Sequence, residues 1–124
     1  MMKVQGLHVL AEIHDCDKEL IQDIQQLETL VKDAAGENGL IVEDSIFHQF
    51  NQEGISGVVI APHANLSIHT WPEGRRVTVD MVTCREDMNL LASCESLISK
   101  FKASRMTAEY HKREIDFGPA AVAV

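Results

Sequence analysis

No apolar run in the sequence approaches the length of a membrane span. The longest runs, such as Gly57 to Pro62, are far shorter than the roughly 20 residues that a transmembrane helix needs. The first residues, Met1 to Gly6, contain neither a long apolar segment nor an A-x-A cleavage site, so no signal peptide is expected. Low-complexity stretches and internal linkers are also missing. These absences predict a cytoplasmic protein without a membrane partner, with a single domain over residues 1–124.

Cysteines are few, and basic residues are fewer than acidic residues. The three cysteines, Cys16, Cys84 and Cys94, are widely spaced, odd in number and without a C-x-x-C pair. This pattern argues against a disulfide framework and against a zinc knuckle, and favours reduced thiols. Lys and Arg number 11 against 19 Asp and Glu, which gives a net charge of −8. Because an acidic chain repels phosphate backbones, no nucleic-acid partner is expected.

The remaining composition is that of a globular protein, with 45% hydrophobic and 24% charged residues. Strands are predicted at 6–14, 40–50, 55–61, 66–71, 75–84 and 105–113. Apolar residues alternate at 6–14, 66–71 and 75–84, whereas the nearly all-apolar, β-branched run at 55–61 indicates a buried central strand. Helical spacing predicts helices at 18–35 and 87–101, and a tail from about residue 114 is of uncertain order. The order β-α-β-β, then β-β-α-β, predicts an α+β two-layer sandwich, an antiparallel sheet with both helices on one face. The uncovered face would carry Val, Ile and Trp, so a homodimer is expected to cover it.

The segment Pro62 to Glu73 is the densest in chemically active side chains. It holds two histidines, a glutamate and a tryptophan where one predicted strand ends and another begins. Loops held by a rigid sheet often carry sites, although a core tryptophan and a hydrogen-bonded histidine would explain the same residues. His63, His69 and His111 could be assembled around a metal, but nothing in their spacing requires it, and no metal is predicted.

The segment Leu66 to Glu73, LSIHTWPE, closely resembles the signature of the prokaryotic S-adenosylmethionine decarboxylase proenzymes. The resemblance continues through GLHVLAE at 6–12, FHQF and GISGVV within 47–59, and VDMVTC at 79–84. It implies a lyase of polyamine (spermidine) biosynthesis that makes its own cofactor. In that family a serine hydroxyl attacks the preceding carbonyl, and cleavage of the resulting ester leaves a pyruvoyl group. That group forms a Schiff base with S-adenosylmethionine and acts as an electron sink.

The sequence departs from the family pattern at the residue that forms the pyruvoyl group. The family reads Glu-Ser-His-Leu where this chain reads His63-Ala64-Asn65-Leu66. The resemblance therefore puts Ala64 at the position of the pyruvoyl-forming serine and His63 immediately before the cleavage site. Since alanine has no hydroxyl, the cofactor should not form and the chain should stay an uncleaved proenzyme; Ser67 is not assumed to replace the serine. Ala64 is either an engineered trap or the natural mark of a divergent paralogue.

The resemblance also implies roles for three residues in the chemistry, and in the predicted two-layer fold Ala64 and Cys84 are expected to line one cleft beside His69. His69 and Ser56 would assist processing by acid–base catalysis and by stabilising its intermediate. Cys84 would return a proton to Cα after decarboxylation, which suits a thiol because it titrates not far above neutral pH. Cys16 and Cys94 are expected to be structural.

Three further residues are expected at the substrate. By the resemblance, Phe50 stacks on the adenine, Leu66 contacts the purine through its backbone, and Glu73 holds the ribose hydroxyls. Gly74-Arg75-Arg76 stands where the family usually has Tyr-Gly-Tyr, and the two arginines are either solvated charges or ligands of a carboxylate or phosphate. The alternatives are therefore a pyruvoyl-dependent ornithine or arginine decarboxylase relative, a pyruvoyl-free S-adenosylmethionine lyase, and a non-catalytic partner of an active paralogue.

Overall fold

The computed structural model describes residues 3–51, 54–85 and 88–116, which form six strands and three helices. The strands are β1 (Lys3–His14), β2 (Asp44–Phe50), β3 (Gly54–Ala61), β4 (Ala64–Trp71), β5 (Arg76–Thr83) and β6 (Arg105–Asp116). The helices are α1 (Lys18–Ile21), α2 (Ile24–Glu37) and α3 (Leu90–Lys100), and a 3₁₀ turn covers Pro72–Gly74.

The six strands form one antiparallel sheet in the order β2-β3-β4-β5-β1-β6. Helices α2 and α3 pack against each other and against the sheet. The chain therefore consists of two similar halves, each with three strands and one long helix. The helix α2 follows the first strand of the first half, whereas α3 precedes the last strand of the second half. This confirms the predicted α+β sandwich.

The core lies between the helices and one face of the sheet. Alternate residues of the central strands point into it, which is the period-2 pattern of a half-buried sheet. Its fully enclosed side chains include Val9, Ile13, Leu27, Val31, Ile55, Val59, Leu66, Val77, Met81, Leu97 and Phe101.

The other face of the sheet, called the open face below, is not covered by any helix among the described residues. Strand registers place Ile46, Val58 and Ser67 in one row across it, and His48, Ser56 and His69 in another. Large apolar side chains lie exposed there: Ile46, Phe50, Val58, Ile60 and Trp71. The expected Val, Ile and Trp face is present, mixed with polar residues.

The element boundaries differ from the predictions in two informative places. The predicted helix over 18–35 is two helices, because the Asp23 carboxylate accepts hydrogen bonds from the backbone N–H groups of Gln25 and Gln26 and starts a new helix. The predicted strand at 40–50 begins only at Asp44. The predicted start of the second long helix at residue 87 lies outside the described residues.

The hairpin between β3 and β4 is tighter than predicted. Only Pro62 and His63 form its turn, so β4 begins at Ala64, two residues before its predicted start. At the other end of the chain, β6 continues to Asp116, into the part predicted to be a tail.

Candidate active site in two parts

The peptide bond between His63 and Ala64 lies where β4 begins beside the end of β5. His63 occupies the left-handed region with φ of 62°, which lets two residues close the hairpin so that Ala64 pairs with both Ala61 and Thr83. The carbonyl oxygen of His63 therefore faces the residues that end β5.

Three donors converge on the His63 carbonyl oxygen. The Cys84 backbone N–H donates at 2.9 Å, the Thr83 hydroxyl at 3.1 Å and the Cys84 thiol at 3.4 Å. These three donors are called the carbonyl cradle below. Hydrogen-bond donors placed around one carbonyl oxygen stabilise negative charge that develops on it, as in an oxyanion hole. The cradle therefore suits attack on the carbonyl carbon of this peptide bond.

Residue 64 offers no nucleophile to this polarised carbonyl. Ala64 is 9% exposed and belongs to the row of buried β4 side chains that includes Leu66 and Ile68. Ser67 is three residues further along the same strand. Because side chains alternate along a strand, Ser67 points to the open face, away from the side that Ala64 faces.

The second part of the site lies on the open face, where β3 and β4 pair. Ser56 and His69 are directly opposite each other, and the Ser56 hydroxyl is 2.6 Å from Nδ1 of His69. In the neutral imidazole that carries its proton on Nε2, the hydroxyl donates and Nδ1 accepts. A serine and a histidine in this geometry can pass a proton to or from a reacting group.

Three further rings lie beside this pair and form, together with His69, the aromatic strip: His48, Phe50 and Trp71. The His69 ring lies 4.3 Å from Trp71 and 6.3 Å from Phe50, between ring centroids, and His48 lies 4.5 Å from Phe50. Phe50 is 44% and Trp71 51% exposed. These exposed rings can stack on a planar base, and they can attract a cation to their faces.

Trp71 is held in place by a chain of hydrogen bonds across the open face. Its indole N–H donates to the Thr78 hydroxyl at 3.0 Å, and that hydroxyl donates to Glu12 at 3.0 Å. Arg76 Nε also donates to Glu12, at 3.1 Å. The chain fixes Trp71 beside His69.

The two parts lie at opposite ends of β4. His69 follows Ala64 by five residues, about 17 Å at roughly 3.3 Å per strand residue, and the odd spacing puts their side chains on opposite sides of the sheet. The expected single cleft that holds Ala64 and Cys84 beside His69 is therefore not formed within one chain. The structure brings His63, Ala64 and Cys84 together, and separately Phe50, Ser56 and His69.

The two other predicted substrate residues lie outside both groups. Leu66 is in the middle of the sheet between Val59 and Met81, with its side chain 1% exposed. Glu73 is exposed in the 3₁₀ turn, next to a cavity of about 360 Å³. That cavity is also lined by Lys18, Gln22, Gln49, Asn51 and Pro72.

Both arginines after Glu73 have partners within the chain. Arg75 Nε donates to the Cys16 carbonyl at 2.9 Å, and the Cys16 N–H donates back to the Arg75 carbonyl at 2.8 Å. Arg76 forms the ion pair with Glu12 described above. These contacts join the loop after β1 to the start of β5, and they account for both arginines without a ligand.

The three cysteines have different environments. Cys16 and Cys94 are fully buried, and burial raises the pKa of each thiol to about 11. Cys84 is partly exposed and is the cysteine at the carbonyl cradle. In the part of the chain that the structure describes, no three His, Cys, Asp or Glu side chains come together as a metal site. Nor does any helix within the described ranges have the length and apolarity to cross a membrane.

Comparisons with known proteins decide the family. A family model described as "S-adenosylmethionine decarboxylase" matches residues 7–114. The chain is 43% identical to the S-adenosylmethionine decarboxylase proenzyme of Pelotomaculum thermopropionicum, over 92% of this chain and 90% of that protein. It is 41% identical to the proenzyme of Moorella thermoacetica, over 99% and 98% of the two chains. The chain belongs to the S-adenosylmethionine decarboxylase family.

Solved structures agree with this membership. The crystal structure of the adenosylmethionine decarboxylase from Aquifex aeolicus superposes with a TM-score of 0.81 at 29% identity, over 98% of this chain and all of that one. Trypanosoma brucei AdoMetDC matches at 15% identity with a TM-score of 0.56, over 82% of this chain and 44% of that chain, and shows the fold alone. The S-adenosylmethionine decarboxylases are pyruvoyl-dependent lyases.

Sequence reasoning missed two residues at this site. The sequence assigns no role to Thr83, which precedes Cys84, and none to Trp71 beyond its place in the HTWPE motif. A signal for Thr83 exists in the sequence, because the alternation Val77, Val79, Met81 continues to a polar residue on the core face. A hydroxyl at a core position needs a hydrogen-bond partner, which here is the His63 carbonyl.

Proposed function

We propose that this chain binds S-adenosylmethionine and remains an uncleaved member of its family, because Ala64 stands where the pyruvoyl-forming serine belongs. The carbonyl cradle is the observation that carries the proposal. Three donors converge on the carbonyl oxygen of the residue before position 64, which is the carbonyl that a serine at that position would attack. Such donors suit an acyl-transfer step, whereas residue 64 lacks the nucleophile.

The residues present do not fit the family's pyruvoyl group. The group is made from the backbone and side chain of a serine, and the methyl group of Ala64 has no oxygen to attack or to become a ketone. Ser67 points to the other side of the sheet, so it does not stand in. No step through a pyruvoyl group is therefore assigned to this chain, although Cys84 and the cradle surround the place where one would form.

Exposed side chains of the open face and of the 3₁₀ turn support binding of S-adenosylmethionine without that group. Phe50 offers an exposed ring for the adenine, and the exposed Glu73 carboxylate can accept hydrogen bonds from ribose hydroxyls. The sulfonium is a cation, and Phe50 and Trp71 offer it ring faces. The net charge of −8 also favours a cationic ligand.

We further propose that two chains form a homodimer through their open faces. In such a dimer the twofold axis lies in the plane between the two sheets. If this axis is perpendicular to the strands, the Ala64 and Cys84 end of one chain lies over the Ser56 and His69 end of the other. A twofold axis parallel to the strands would instead bring like ends together and leave each site incomplete. The exposed apolar residues of the open face support such a contact, because a second copy would remove them from water.

The experiment for processing compares the parent chain with Ala64→Ser by intact mass. The parent should stay as one species near 13.8 kDa, and Ala64→Ser should split after His63 into two fragments. Ser67→Ala in the Ala64→Ser background is the control, and it should split at the same rate because Ser67 faces away. If Ala64→Ser stays intact after prolonged incubation, position 64 is not the processing position.

Binding is tested by calorimetry with S-adenosylmethionine, ornithine and arginine. The parent should bind S-adenosylmethionine, and Phe50→Ala should weaken that binding at least tenfold because it removes the stacking ring. Binding of only the basic amino acids would overturn the proposed ligand. Release of methylthioadenosine during the titration would identify the chain as a pyruvoyl-free lyase.

Three free thiols fit a reducing compartment, so a cytoplasmic location stays part of the proposal. Fractionation of the source cells would test it, and recovery of the protein outside the cytoplasm would contradict it.

A further inference from the structure

We infer that the Thr83 hydroxyl is an oxyanion donor for the peptide bond between His63 and Ala64, beside the backbone N–H of Cys84. The inference rests on the proposed function, since it assigns a residue to the processing of that same peptide bond. It concerns a side chain that is 1% exposed and lies on the core side of β5.

The neighbours of Thr83 leave its proton available for the His63 carbonyl. The Arg85 backbone N–H donates to Oγ1 of Thr83 at 3.0 Å, which uses the hydroxyl as an acceptor. The one hydroxyl proton can then go to the His63 carbonyl at 3.1 Å or to the Met88 sulfur at 3.3 Å. A carbonyl oxygen is the stronger acceptor, and a thioether sulfur is a weak one. The hydrogen bond from the Arg85 N–H thus fixes the position of the hydroxyl oxygen, and the hydrogen bond to the His63 carbonyl fixes the direction of its proton.

Burial makes this donor more effective than a surface hydroxyl. Water does not compete for a hydroxyl that is 1% exposed, and a hydrogen bond is electrostatically stronger inside the protein than in water. When a hydroxyl at residue 64 attacks the His63 carbonyl carbon, a C–O bond forms, the hydroxyl proton passes to solvent, and the C=O π pair moves onto the carbonyl oxygen, which becomes an alkoxide. The Thr83 hydroxyl and the Cys84 N–H already point at that oxygen, so both stabilise its charge without reorganisation.

If Thr83 had a purely structural role, the effects of its substitution would be different. If the hydroxyl serves only to accept the Arg85 N–H and shape the turn after β5, its removal would alter the turn but not the polarisation of the His63 carbonyl. Valine has nearly the same shape as threonine and lacks the hydroxyl, whereas serine keeps the hydroxyl. Thr83→Val and Thr83→Ser therefore separate the two roles.

The first test uses the chain with its own alanine at position 64. His63-Ala64 is the only His-Ala pair in the sequence, so ¹³C-carbonyl histidine with ¹⁵N-alanine labels one peptide bond uniquely. Because hydrogen bonding moves a carbonyl ¹³C resonance downfield, Thr83→Val should move this resonance upfield and Thr83→Ser should leave it near its parent value. Ser93→Ala, which removes another buried hydroxyl, is the control and should not move it. An unmoved resonance in Thr83→Val would overturn the inference.

The second test measures cleavage in the Ala64→Ser background. Removing one oxyanion donor slows catalysis by about 10²–10³-fold, so Thr83→Val should slow cleavage by about that factor. Thr83→Ser should stay within a few-fold of the Ala64→Ser parent, and Ser93→Ala should match it. Equal cleavage rates in Thr83→Val and the parent would also overturn the inference. If Ala64→Ser itself does not cleave, the proposed processing position is wrong, and the carbonyl resonance alone decides the role of Thr83.

Discussion

The chain should contain one thiol that reacts rapidly and two that react only when it unfolds. Cys84 is partly exposed at the carbonyl cradle, whereas Cys16 and Cys94 are fully buried. A thiol-specific reagent such as a disulfide dye should therefore modify Cys84 first, at one equivalent per chain. The result would mark Cys84 as the accessible thiol of the candidate site.

The size of the difference follows from the ionisation of the buried thiols. Burial raises the pKa of Cys16 and of Cys94 from 9.0 to about 11. At pH 8 the thiolate fraction of each is then about 0.1%, against about 10% for a thiol with the ordinary value. Since the thiolate is the reactive form, ionisation alone slows both buried cysteines about 100-fold relative to the same thiols in the unfolded chain, and lack of access slows them further.

Mass spectrometry of peptides after timed labelling at pH 8 measures all three rates in one experiment. Cys84→Ser should abolish the fast phase and leave the slow labelling of the other two cysteines unchanged. S-Adenosylmethionine should protect Cys84 if the ligand binds where the proposed dimer lays the Ala64 and Cys84 end of one chain over the Ser56 and His69 end of the other. Rapid labelling of Cys16 or Cys94 in the folded protein would refute the reasoning, because it would show that burial does not control their reactivity.

The same two thiols predict a loss of stability in alkali. Their folded pKa values are raised, so their stabilising contribution is complete below the unfolded value of 9 and is lost as the pH rises towards about 11. Between pH 8 and pH 10 each should cost the folded state about 1 kcal/mol. Denaturant unfolding at the two pH values should show a smaller drop in Cys94→Ala than in the parent, and equal drops would count against the prediction.

Three substitutions test the open face, the core and a helix start. Val58→Glu places a charge in the apolar part of the open face and should shift the particle from dimer to monomer in sedimentation; a persistent dimer would place the interface elsewhere. Gly57→Ala directs a methyl group into the Phe47 ring and should cost about 1–3 kcal/mol in denaturant unfolding, and an unchanged midpoint would argue against that contact. Asp23→Ala removes the N-cap of α2 and should cost about 1 kcal/mol, which thermal unfolding would detect; an unchanged melting temperature would mean that the cap contributes nothing.

Local sequence patterns were sufficient to predict the strands and the long helices and to suggest the family. Alternation in β5 is strong because one side of the strand faces the core. The nearly all-apolar β3 was also predicted as a strand and ends at Pro62 as expected, although its Val58 and Ile60 lie partly exposed on the open face rather than buried. The HTWPE segment was enough to suggest the family that the comparisons establish. The break at Asp23 escaped prediction because Ile21 and Ile24 keep helical spacing across it, while the competing cap is a side chain to backbone bond.

The tertiary structure alone decided which of these residues meet. Ala64 and Cys84 are 20 positions apart in sequence and are brought together by the β4–β5 register, whereas Ala64 and His69 are five positions apart and are held at a distance by the rigid strand between them. Sequence nearness suggested one cleft beside His69, but an extended strand moves its residues apart by about 3.3 Å each and turns alternate side chains to opposite faces. Strand pairing is a long-range property that no local motif encodes, which is why the carbonyl cradle and the separation of the site into two parts appear only in the folded chain.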